Sequence, residues 1–192
     1  MPLPAPTYSR KPLHERSIRV NSFERQDGLW DIEAELVDCK AYDFPKRNGT
    51  VHQAGTPFHH LLLRITINRD FTITDAMAVY DVAPFGGECS AIAPAYQDLI
   101  GMNLLKSFRQ QVKSRFHRTA GCTHMSELAG VLPTVALQTM ANQRRLNPDP
   151  DRRPFQLDGC YAQRLSGPVV KEHHPRWYIA PEVDEGLKSS SD

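Results

Sequence analysis

Arg25-Gln26-Asp27-Gly28-Leu29-Trp30-Asp31-Ile32-Glu33-Ala34-Glu35-Leu36 is the stretch on which the fold turns. Trp30, Ile32, Ala34 and Leu36 alternate with Asp31, Glu33 and Glu35. That period of two sets apolar side chains on one face of a strand and acids on the other. The strand is expected over residues 29–42. Asp27-Gly28 ahead of it tolerates the positive backbone angles of a tight hairpin turn, and residues 18–23, with Ile18 and Val20 in phase, supply the first arm.

The pattern repeats downstream. Residues 43–57 carry Pro45, Asn48, Gly49, Gly55 and Pro57 and read as a loop. A strand follows over 58–67, with Leu61, Leu63, Ile65 and Ile67 in step, and Asn68-Arg69-Asp70 turns it into another over 71–82. Two hairpins in succession make an antiparallel four-stranded meander whose apolar face must be covered. Helical spacing recurs over 90–100 (Ile92, Tyr96, Leu99), over 104–116 (Leu105, Phe108, Val112), and then at Met125, Leu128, Ala129, Leu132, Val135, Ala136 and Met140. Thr123 is the expected N-cap of the last helix, with Glu127 favouring the positive end of its dipole, and Pro133 predicts a kink.

The expected fold class is therefore α+β: the meander covered on one face by about three helices, with a C-terminal hairpin or extended segment drawn from residues 157–161 and 167–170. Residues 1–13, which hold four prolines, are expected as an extended arm. Residues 14–180 then form a single domain with Trp177, Tyr178 and Ile179 anchoring its end, and 181–192 form a disordered tail. The stretch from Arg144 to Pro154, rich in arginine and proline, reads as a surface connection.

Composition narrows the class of function. Twenty-three basic against 22 acidic residues leave a net charge of +1, which makes no electrostatic case for nucleic acid. No apolar run approaches the ~20 residues of a membrane span, and the proline-rich start is unlike a secretory signal, so a cytoplasmic address is expected. Four scattered cysteines, Cys39, Cys89, Cys122 and Cys160, suit free thiols or metal ligands better than a disulfide scaffold. No glycine-rich phosphate loop, dinucleotide fingerprint, Cys-x-x-Cys pair or His-Glu-x-x-His helix occurs, so a nucleotide cofactor is not expected.

Gly121-Cys122-Thr123-His124 is the local cluster with the clearest chemical potential. It pairs a thiol and an imidazole at the mouth of a helix, where a thiolate is stabilised. In the strand His59-His60 the two rings point to opposite faces, and one should meet the helices. Arg64, between leucines, is a candidate for an anionic substrate if it points inward, although solvent exposure is the simpler reading. Asp75 and Asp81 read as edge or turn residues, and His173-His174 as surface.

Asp27-Gly28-Leu29-Trp30-Asp31-Ile32-Glu33, Asp81-Val82-Ala83-Pro84-Phe85, Gly121-Cys122-Thr123-His124 and Leu157-Asp158-Gly159-Cys160 together resemble a bacterial family known as domain of unknown function 2889. The likeness spans roughly residues 14–178 and implies no activity. More distantly, the order of elements over 61–143 is similar to the iron–sulfur cluster scaffold (NifU-like) proteins. That resemblance implies ligands near Pro57 and His59, at Glu88 or Cys89, and at Cys122. Pro57 stands where the first cysteine would be, and a cluster needs soft thiolates. The remaining set, His59, Cys89 or Glu88, Cys122 and His124, would suit one zinc or iron ion, or a metal-free pocket for proton transfer.

Three functions compete. One is a small-molecule enzyme, cofactor-independent or with a single divalent metal, using His59, Cys122 and His124. A lyase is the favoured class, for example one releasing formaldehyde from an aromatic hydroxymethyl compound, with Arg64, Tyr80, Phe85 and Tyr96 lining the substrate. The second is a metal- or sulfur-binding scaffold that delivers to a partner protein. The third is a non-catalytic interaction domain whose cysteines and histidines are incidental. A small molecule is the expected partner, with neither nucleic acid nor membrane, and self-association stays open.

Overall fold

The computed structural model describes residues 2–142 and 151–181. Where a single domain is expected over 14–180, the chain divides into two compact units, Met1–Asn142 and Gln143–Asp192. In the first, β1 (His14–Glu24), β2 (Trp30–Lys40), β5 (Pro57–Ile67) and β6 (Ile73–Val82) form an antiparallel four-stranded sheet in the order β1-β2-β5-β6. This is the meander expected from the alternation. The loop between β2 and β5 contains a small ribbon, β3 (Phe44–Pro45) with β4 (Val51–His52).

The fold class is α+β as expected, with different helix boundaries. The segment from residue 90 to 100 splits into a short α1 (Gly87–Ser90) and a 3₁₀ helix, Ala93–Leu99. Pro94 in the first turn of the latter has no N–H to continue the preceding turn. α2 spans Phe108–Arg115 only, because Leu104 donates its N–H to Phe71 in the turn before β6 and Ser107 takes a left-handed φ of 52°. α3 (Thr123–Thr139) runs unbroken through Pro133, where a kink is expected. Thr123 is its first residue rather than its cap. The N-cap position belongs to Cys122, whose N–H and C=O are both held by the Tyr96 hydroxyl, at 2.8 and 3.1 Å.

α3 lies across β1, β2 and β5, α2 packs on α3, and the 3₁₀ helix packs on β6. Between them Trp30, Ile32, Leu36, Leu61, Leu63, Ile65, Tyr96, Phe108, Met125, Leu128 and Leu132 form one buried core. At roughly 1.5–3 kcal/mol for each large apolar side chain buried, this layer is what holds the sheet to its cover.

In the second unit the structure has a 3₁₀ turn at Tyr161–Gln163 and α4 (Pro168–His173) where the sequence suggests a hairpin. Gly167-Pro168 explains the change, since proline suits the first turn of a helix and not the interior of a paired strand. Ile179 donates its N–H to Leu165, fixing the end of this segment within the unit. Most of the connection expected over 144–154, and the tail from residue 182, lie outside the described residues.

Candidate functional site

Asp38 is in phase with Trp30, Ile32, Ala34 and Leu36, so its carboxylate points to the apolar, helix-covered face of β2. It is 3% exposed. Its neighbours across the sheet are Arg16 on β1 and His59 on β5, which place a cation, an acid and an imidazole in one row. A bulge at Phe58, where the β2–β5 register slips between Asp38 and Cys39, sits beside His59. Such irregularities re-aim a side chain at the end of a ladder.

The row is tightly bonded. Arg16 donates from Nε and Nη2 to the two oxygens of Asp38, at 2.7 and 2.8 Å. Its remaining Nη1 reaches Glu127 on α3 at 2.5 Å. His14 Nε2 donates to Asp38 Oδ1 at 3.1 Å and His59 Nδ1 to Oδ2 at 3.0 Å. A carboxylate offers about four lone-pair positions, and these four bonds take them up. Burial by itself would raise the Asp38 pKa; the Arg16 hydrogen bonds and charge, aided by His59 and His14, outweigh it and hold the carboxyl at about 2. Arg16 is raised in turn, chiefly by its bond to Asp38.

His124, in the first turn of α3, completes the cluster. Its ring lies 4.1 Å from that of His59, tilted by 34°. Its Nε2 is 3.8 Å from Asp38 Oδ2 and its Nδ1 is 3.9 Å from Cys122 Sγ, so thiol, imidazole and carboxylate follow one another in a line. Burial lowers the His59 pKa, and the neighbouring His124 lowers it further, against the pull of Asp38. A neutral His59 that donates from Nδ1 has its Nε2 lone pair free.

Of the residues singled out from sequence, His59, Cys122 and His124 come together. Tyr80 opposes Leu61 and so shares their face; among the described residues its hydroxyl is buried without a hydrogen-bond partner, as is Ser126 Oγ. Burial is the main cause that raises the Tyr80 pKa, and the nearby Cys122 adds to it. Tyr96 is fully buried and holds the Cys122 backbone, so it acts as an anchor rather than a substrate wall. Phe85 is 76% exposed, ahead of α1.

Arg64 lies on the opposite, open face of the sheet, 3.9 Å from Met77 Sδ. His60 is on that face too, bridging Asp81 at 2.7 Å and Glu35 at 2.9 Å. Among the described residues, Cys89, partly buried in α1, is not in any group at metal-ligand distance. Asp38, His59 and His124 are: one donor atom from each lies within 4.8 Å of the others. Reading by chemical type passes over Asp38, Arg16 and His14. Yet an aspartate in phase with four apolar residues, opposite an arginine in phase with Ile18 and Val20, is a signal that alternation carries.

Among the described residues no helix is long and apolar enough to cross a membrane. No curated protein and no solved structure matches the chain. A family model described as protein of unknown function (DUF2889) matches residues 14–138, a span that begins at His14 and contains Arg16, Asp38, His59, Cys122, His124 and Glu127. With that match covering well over half of its length, the chain belongs to the DUF2889 family.

Proposed function

We propose that the chain is a small-molecule enzyme that transfers protons at the Asp38 cluster, with a lyase as the favoured class. The observation that carries this reading is the filled carboxylate. With Arg16, His14 and His59 all donating to Asp38, the acid orients His59 and leaves its outer nitrogen as a base. His124, between Asp38 and Cys122, is the second proton carrier, and the charge it takes up disfavours a second proton on His59.

One concrete form is retro-aldol loss of formaldehyde from an aromatic hydroxymethyl compound. His59 Nε2 takes the hydroxyl proton as the carbon–carbon bond breaks and formaldehyde leaves. The electron pair left on the aromatic fragment is then protonated from His124. Purified protein assayed for formaldehyde release from a panel of such compounds tests the substrate class. Single replacements His59→Gln, His124→Gln and Cys122→Ser test the roles, and unchanged turnover in all three would remove them.

A second reading has an observation of its own, the three ligand atoms within 4.8 Å. A divalent ion there would have to displace hydrogen bonds from Asp38 and sit beside the Arg16 guanidinium, an unfavourable neighbour for another cation. Zinc or iron found at about one per chain after dialysis, and lost in His124→Gln, would favour metal binding and delivery over metal-free proton transfer.

A further inference from the structure

A groove of about 430 Å³ runs between α2 and the first half of α3. Asp38, His59, Cys122 and His124 do not line it, so a ligand held there would be separate from the proton-transfer cluster. Its floor is apolar. Val112 and Phe116 are buried beneath it, and Gly130 on α3 exposes bare backbone, a Cβ there meeting only open space. Its rim carries three cations, Arg109, Lys113 and Arg118, beside His117.

The charge on that rim is not neutralised locally. Among the described residues Arg109, Lys113 and Arg118 form no salt bridge, whereas Arg115 on the same helix pairs with Asp98. Glu127 on the groove wall is taken by Arg16. Arg109 donates from Nε to the Gly130 carbonyl, which ties one rim to the floor. The volume falls within the roughly 300–1,000 Å³ of small-molecule clefts, which pair apolar walls with a few charged groups.

We propose that this groove binds a small amphiphilic anion, an aryl or alkyl carboxylate, with its apolar body over Val112, Phe116 and Gly130 and its carboxylate between Lys113 and Arg118. Apolar floor and unneutralised cations are complementary to that one chemistry: a neutral apolar molecule would leave the cations unused, and a bare inorganic anion would leave the floor wet.

The test is calorimetric titration of the full chain with 2-naphthoate, set against the neutral 2-naphthamide and inorganic phosphate. Naphthoate should bind one to one, and each control should bind at least about tenfold more weakly. Lys113→Gln with Arg118→Gln should weaken naphthoate by about tenfold or more. Gly130→Leu, which fills the floor, should abolish binding, while His59→Gln should leave it unchanged. No binding of naphthoate, equal binding of the amide or of phosphate, or indifference to both the charge and the floor variants would overturn the proposal. So would an acidic peptide that binds with the same dependence on Lys113 and Arg118 while naphthoate does not.

Discussion

Replacing Asp38 by Asn keeps the shape of the side chain and removes the charge on which Arg16, His14 and His59 converge. The folded carboxyl titrates at about 2 against an ordinary value of 3.8. At ~1.4 kcal/mol per unit, the ionised form contributes on the order of 2 kcal/mol to stability at neutral pH. The amide adds a second cost, because its NH₂ faces guanidinium and imidazole donors. Breaking a buried charge pair costs roughly 3–5 kcal/mol, and here Arg16 keeps Glu127 as a partner. A loss of about 2–4 kcal/mol is therefore expected for Asp38→Asn at pH 7.

The sign with pH follows from the depressed pKa. The stabilisation is fully present above the unfolded value and is lost as pH falls through about 4 towards 2. Urea denaturation of both proteins at pH 7 and across acidic buffers measures it. The gap between them should narrow as pH falls through that window. A gap under about 0.5 kcal/mol at neutral pH, or one that does not change with acidity, would rule out Asp38 as the charged hub of the row.

On the open face, His60 can donate to Glu35 and Asp81 together only when protonated, and these carboxylates raise its pKa against the effect of burial. Its contribution is complete below the ordinary histidine value and is lost as pH rises through the folded one, so His60→Gln should cost more stability at pH 5.5 than at pH 8 by thermal melting. Tyr96→Phe removes the hydroxyl that serves both backbone groups of Cys122 and should cost about 1–3 kcal/mol in chemical denaturation, because Cys122 N–H loses its partner. Arg16→Lys keeps the charge but cannot make two parallel bonds to Asp38. A formaldehyde-release rate reduced by about tenfold or more, with the fold intact by circular dichroism, is expected, and full activity would count against Arg16 as a positioning residue.

Alternation made the sheet legible: every apolar residue marked in β2 and β5, from Trp30 to Ile67, is buried on the helix face. The periodicity of α3 was equally readable, since Met125, Leu128, Ala129, Leu132 and Ala136 form its buried stripe. Helix starts were not, because Cys122 is held by a tyrosine 26 residues earlier in the chain and Leu104 by Phe71 in the turn before β6. The site was half visible. His59, Cys122 and His124 stood out by chemical type; Asp38 and Arg16 show in the alternation only as polar residues in apolar phase, and their meeting with His59 depends on cross-strand register and a bulge, which local spacing does not encode. Arg64 is out of phase with Leu61, Leu63 and Ile65, which puts it on the open face, in line with solvent exposure as the simpler reading and against the inward, substrate-binding alternative.

Long-range ¹H–¹⁵N NMR of the His59 ring through a pH titration reads the proposed base itself. The expected ring is neutral with its proton on Nδ1, titrates below the ordinary histidine value, and loses that tautomer in Asp38→Asn. A proton on Nε2, or a ring that stays charged at neutral pH, would mean that Asp38 does not set up His59 as the base.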